Sequence, residues 1–291
     1  VTLLITLAVI AAMLALVAVL FGYLDSARKK AESEAALIQA DLLRKDVGNL
    51  LQKYLKGHPS ASTLQTFYGN SLAYYPEHSD FGVTIRCSPL LDRVPIVWLG
   101  WEEDPKHRRH YQLARRLFDR LTDAAELKEP ETFYNLLVKA LHGRHLLFGH
   151  PDDLKAAPLL MSTDSFAALE EDYRYLTDDP NIYRIPWNDY FLLDISGTVP
   201  RTLDRDYLNP HLVSVLFDLD PALVREEYTP GELVKFLRSV GAESKRYEWL
   251  FTPAPSPAAH CDLHYSFREG QYNVSFDYMD QRILNFELGR E

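Results

Sequence analysis

Residues 1–24 read VTLLITLAVIAAMLALVAVLFGYL, and the first charge is Asp25. No polar face interrupts this run, so a helix built from it is apolar all round. At 1.5 Å per residue it would be roughly 36 Å long, enough for the roughly 30 Å hydrocarbon core of a bilayer. No Ala-x-Ala pattern precedes the polar sequence, so the run reads as a retained anchor and not as a cleaved secretory signal. Helix formers continue through residues 25–56. Apolar positions fall at Ala31, Ala35, Ile38, Leu42, Leu43, Val47, Leu50 or Leu51, and Tyr54. That three-and-four spacing predicts an amphipathic continuation with one stripe laid on a globular head. Leu43, Val47, Leu50 and Tyr54 form the predicted head-packing face. Gly57 after Lys56, with Pro59 two residues later, supplies the stop.

The period then changes. Gly82 to Cys87 and Val94 to Trp101, rich in Val, Ile and Trp, predict two strands joined by Ser-Pro-Leu-Leu-Asp-Arg. Helical spacing follows over residues 106–121, 131–141, 164–176 and 210–218. A further helix is predicted from Thr229 to Val240, with Pro230 in its first turn and Gly241 as its stop. Alternation returns at the end: Leu263, Tyr265 and Phe267, then Tyr272, Val274, Phe276 and Tyr278, then residues 283–288. These predict a three-strand antiparallel meander that only strands from earlier in the chain can widen. The fold class is α+β.

Charge narrows the partners. Against 31 Lys and Arg stand 41 Asp and Glu, a net charge of −10 in 291 residues. Nucleic acid is thereby disfavoured, since phosphate neutralisation needs a basic face. His142, His145 and His150 cluster in HGRHLLFGH, and His260-Cys261-Asp262-Leu263-His264 is a compact group of metal-ligating types. Zinc needs four converging ligands. On a strand, His260, Asp262 and His264 share one face while Cys261 points to the other, so an exposed sheet face is the simpler reading. His107-Arg-Arg-His110 reads as the solvated start of a helix. No nucleophile elbow, phosphate loop, His-Glu-x-x-His or dinucleotide fingerprint is present, which argues against an enzyme. Trp98, Trp101, Trp187 and Trp249 are read mostly as core.

The layout resembles the type IV pilin superfamily, the pilins and the pseudopilins of type II secretion. The resemblance rests on Thr2-Leu3-Leu4 opening the long hydrophobic helix, the glycine stop and the strand-rich C-terminus. Val1 stands where the family has Phe, and a chain starting at Val is the kind of start that class III signal processing leaves. Ile5 stands where the family has a glutamate that pairs with a neighbouring subunit's N-terminus inside the filament. A buried charge needs a partner, so a subunit with Ile5 fits the filament tip. Within the superfamily the chain is most like the minor pseudopilin K family, known for a hydrophobic fifth residue and a large helical domain inserted in its sheet. Ser165-Phe166 through Leu176, and Leu193-Asp194-Ile195 followed by residues 209–216, resemble parts of that inserted domain. Ser196 to Pro200 replaces its Asn-rich signature.

The resemblance implies a long N-terminal hydrophobic helix (1–57) packed on an antiparallel pilin-like sheet (58–103 and 250–291), with an inserted α-helical domain (104–249). It implies a structural minor pseudopilin at the tip of a periplasmic pseudopilus, anchored once in a bacterial inner membrane. The implied partners are other minor pseudopilins and secreted substrates. No cofactor is implied except calcium, which the K family carries in its inserted domain; Asp178, Asp179, Asp204 and Asp206 are the candidate ligands. The alternatives are an anchored extracytoplasmic binding domain, a minor subunit of a type IV pilus, and an anchored hydrolase. Arg28, Lys29 and Lys30 count against the pilin-like topology, since positive residues beside a span tend to stay cytoplasmic and that topology puts this end outside.

The two cysteines flank the insertion. If the insertion leaves the sheet and returns to it, the strands that carry Cys87 and Cys261 become neighbours. Neighbouring strands lie roughly 4.8 Å apart, within disulfide reach. The alternative is two buried thiols behaving as small apolar groups.

Overall fold

A computed structural model of the chain describes residues 2–55, 61–75, 82–142, 162–194, 199–243, 245–252, 258–267, 270–279 and 281–290. Helix α1 runs Thr2–Tyr54. It is followed by α2 (Ala61–Gly69) and strands β1 (Leu72–Tyr74) and β2 (Gly82–Pro89). Beyond the helical region come β5 (Ala259–Phe267), β6 (Gly270–Met279) and β7 (Arg282–Arg290). These five strands form one antiparallel sheet in the order β1-β2-β5-β6-β7. The meander is therefore widened by strands from before the insertion. Neither α2 nor β1 is announced by the sequence pattern.

The second half of α1 lies on the sheet. Ala36, Ala40, Leu43, Val47, Leu51 and Leu55 are buried against Val83, Ile85, Leu263, Val274, Phe276 and Tyr278. The two alanines let the backbone approach closely enough for the Tyr265 hydroxyl to donate to Ala36 O at 2.8 Å. Two predicted members of the face are corrected. Leu50 and Tyr54 are 51% and 50% exposed, and Leu51 and Leu55 are buried in their place. Successive four-residue steps advance a stripe by about 40° each on a helix of 3.6 residues per turn. The stripe follows the twist of the sheet beneath it and leaves Leu50 and Tyr54 outside.

Between β2 and β5 the chain builds a helical unit. It contains β3 (Val94–Pro95), α3 (Arg108–Ala124), α4 (Pro130–Leu141), α5 (Thr163–Thr177), α6 (Trp187–Tyr190) and β4 (Phe191–Leu192). Helices α7 (Pro210–Phe217), α8 (Pro221–Glu227) and α9 (Leu233–Ser239) complete it. Its core gathers Phe118, Phe133, Phe166, Tyr173, Trp187 and Phe191 in stacked, tilted and edge-on ring contacts. This core already includes Leu90 to Leu99 and reaches Ala258, so it begins and ends beyond the 104 and 249 read from the sequence.

Two local expectations change. Only Val94–Pro95 of the predicted strand is extended, paired in parallel with β4; Ile96–Trp101 is a 3-10 helix. Residues 96–100 are buried without alternation, and a 3-10 turn satisfies its backbone groups locally where one short neighbour strand could not. Helix α9 starts at Leu233 and not in the Thr229–Pro230 turn. Gly231 takes φ +97° there and its N–H donates to Asp206 O, a conformation no helix continues through.

Candidate functional site

Two surfaces are candidates for function: the side of α1 turned away from the sheet, and the junction of the sheet with the helical unit. On α1, the described apolar residues from Met13 to Leu24 are exposed, Phe21 by 67% and Tyr23 by 73%. Farther along, Leu37, Ile38, Leu42, Leu50 and Tyr54 are also exposed. Among the described residues no helix is long and apolar enough to cross a membrane. Arg28 pairs with Glu32 and Lys29 with Asp25, one turn apart. Val1 lies outside the described residues, as do the side chains of Thr2 and Ile5, although both stand in α1.

At the junction, β2 pairs with β5 over eight residues with Cys87 opposite Cys261. The two sulfurs are bonded, the Cα atoms 4.1 Å apart, and both residues are buried. Just beyond, Leu90 N–H donates to Ala258 O at 3.0 Å. The bond therefore clamps the two crossings by which the chain enters and leaves the helical unit.

The outward face of the sheet carries His260, Asp262 and His264, with Cys261 on the other side. His260 lies directly across from Asp277 on β6, and its Nδ1–H donates to Asp277 Oδ1 at 2.7 Å. Asp277 is buried and also accepts from Asn285 Nδ2 at 2.5 Å. Asn285 sits at φ +50° where β7 bulges against β6. Above them is a cleft of about 290 Å³ whose other walls belong to the helical unit and include Arg93, Asn188, Leu192 and Asp194. The hydrogen bond to Asp277 raises the His260 pKa against the opposing effect of burial. Burial, followed by the charges of Asp277 and Glu287, raises that of Asp194. Alternation places Asp277 outward, so nothing in the sequence announces its burial; the helical unit covers it.

Of the four acids proposed for calcium, Asp179 and Asp204 hold backbone N–H groups. Asp179 is wholly buried and accepts from Lys128 N–H at 2.8 Å, Asn181 N–H at 3.1 Å and the Tyr173 hydroxyl at 3.2 Å. Burial alone would push its carboxyl up; these donors outweigh that and hold it below the usual range. Asp178 closes α5 in the left-handed conformation. Asp204 caps a 3-10 turn by accepting from Asp206 N–H, and burial raises its pKa to about 6. Asp206 pairs with Arg205. Among the described residues no three His, Cys, Asp or Glu side chains are arranged to hold a metal ion. His145 and His150 lie outside the described residues.

A long helix laid on an antiparallel sheet, with a helical unit inserted between the strands that a disulfide joins, is a pilin-like fold with an insertion. One chain of the crystal structure of the GspK-GspI-GspJ complex from the enterotoxigenic Escherichia coli type 2 secretion system is similar to it. That chain aligns over its whole length with 90% of this one, at a TM-score of 0.57 and 10% sequence identity. The likeness is one of fold: a GspK-like pseudopilin fold. No family model matches the chain, and no curated protein matches its sequence.

Proposed function

We propose that this protein is a minor pseudopilin, a structural subunit at the tip of a periplasmic pseudopilus in type II protein secretion. The exposed apolar side of α1 carries the reading. Leu37, Ile38, Leu42, Leu50 and Tyr54 lie on a helix whose opposite side is fully used by the sheet. Apolar side chains in such a stripe gain roughly 25 cal/mol per Å² when covered, and neighbouring subunit helices are suitable covers. The fold likeness supports the same reading. Ile5 supports the tip, because a subunit without the carboxylate needs no partner above it. The apolar N-terminal run would hold the free subunit in the inner membrane, with the head in the periplasm and other minor pseudopilins as partners. The work done is packing and docking, with no chemical turnover.

Arg28, Lys29 and Lys30, which tend to stay cytoplasmic beside a span, count against this topology; a single-pass anchored binding domain that never enters a filament is the second reading. One experiment separates the two. A photo-crosslinking residue at Ile38 or Leu42, in cells that make the secretion machinery, is expected to capture other pseudopilins. A residue at Glu248, far along the chain in the helical unit, serves as the control. Capture of no pseudopilin from α1 would overturn the proposal.

A further inference from the structure

The cleft between the sheet and the helical unit collects charge from both sides. Asp277 and Glu287 come from β6 and β7, His260 from β5, and Asp194 from the segment after β4. Asp262, also on β5, lies 3.5 Å from His260 Nε2, and Asp164 at the start of α5 adds further negative charge near Asp194. The cation in the cleft wall is already engaged: Arg93 Nε donates to Asp92 at 2.8 Å and Nη1 to Asn188 O at 2.9 Å. Asp194 of the helical unit thus faces Asp277, Glu287 and the His260 imidazole of the sheet across one cleft.

We infer that this junction is a proton-operated latch: uptake of protons by His260 and Asp194 tightens the contact of the helical unit with the sheet, and their loss loosens it. A protonated His260 holds Asp277 by a charge-assisted hydrogen bond on the sheet side. A neutral Asp194 removes the repulsion that the helical unit presents to Asp277 and Glu287. Both changes act in the same direction. The His260 pKa is raised, so its contribution is complete below the ordinary histidine value and is lost as pH rises through the folded value. The Asp194 pKa is also raised, so folding favours its protonated form, and that contribution too is lost as pH rises. On the alkaline side the cleft holds two more negative units than on the acid side. The inference is independent of the assembly role.

Amide hydrogen exchange on the full chain in detergent tests it, each variant being compared with the parent at the same pH so that intrinsic rates cancel. At about pH 8.5, Asp194→Asn is expected to slow exchange at residues 191–194 and 275–277, by about tenfold for each unit of pKa shift removed. At about pH 4.5 that difference is smaller, and it vanishes only below the ordinary aspartate value. His260→Gln is expected to do the reverse, exchanging faster than the parent at the lower pH and matching it at the higher. Glu287→Gln, which alters the same cluster from the sheet side, should behave like Asp194→Asn and serves if that variant does not fold. Differences that are equal at both pH values, or of opposite sign, would overturn the latch.

Discussion

Asp179 shows how one buried side chain can organise a chain reversal. Its carboxylate gathers two backbone N–H groups and a tyrosine hydroxyl, joining the end of α3, α5 and the turn after it. Asp179→Ala strands those buried donors, and hydrogen bonds to a charged group are worth about 1.5–3 kcal/mol each. A loss of about 2–4 kcal/mol in urea unfolding is expected. Because the folded pKa lies below the ordinary aspartate value, this contribution is present above that value and fades as pH falls through the folded one. The parent and Asp179→Ala should therefore converge in acid; a gap that stays constant down to about pH 2 would contradict this origin. The disulfide is the other residue-scale feature. Replacing both cysteines by alanine should cost about 2–5 kcal/mol. Adding reductant to the unfolding buffer should lower the parent's midpoint toward that of the variant and leave the variant unmoved.

At the scale of elements, α1 buries some of its apolar residues against the head and leaves others exposed. Leu51 is 2% exposed and Leu50 is 51% exposed, although they are sequence neighbours. Leu51→Ala should cost about 2–5 kcal/mol of head stability. Leu50→Ala should leave the thermal midpoint nearly unchanged and weaken capture of partner subunits. Equal melting temperatures for the two variants would mean that α1 does not pack as described. Periodicity alone left Leu50 and Leu51 as alternatives, because adjacent helical positions differ by only about 100° and the twist of the sheet selects between them. The same limit explains Ile96–Trp101. A short run that is apolar on all sides is compatible with strand or helix, and its surroundings decide.

For the whole molecule, the subunit's place in an assembly is the quantity to measure. If the absence of a carboxylate at Ile5 places it at a tip, purified filaments should contain about one copy each, far fewer than of the major subunit. Ile5→Glu should not be needed for assembly. Abundance near that of the major subunit would refute the tip position and leave the fold intact. The molecule's two cores meet at the disulfide, at the cleft above Asp277, and where Tyr207 packs into the core of the sheet and Met279 into that of the helical unit.

The sequence by itself determined the strongly periodic segments, helical or alternating, and not α2, β1 or the course of residues 96–101. Hydrophobic period is a local property, and the terminal strands, the helices from residue 108 to 177 and the long α1 are strongly periodic. It offered a Cys87–Cys261 pairing as one of two readings, and the pairing of β2 with β5 decided for the bond. Tertiary structure decided the rest. It chose the line of contact on α1 and the 3-10 course of residues 96–101, and it turned Asp179 and Asp204 into backbone caps. It also buried Asp277 beneath the helical unit, where a carboxylate that reads as solvent-facing becomes half of a charged junction. Such outcomes depend on which surface lies opposite a residue, and no spacing along a single chain encodes that surface.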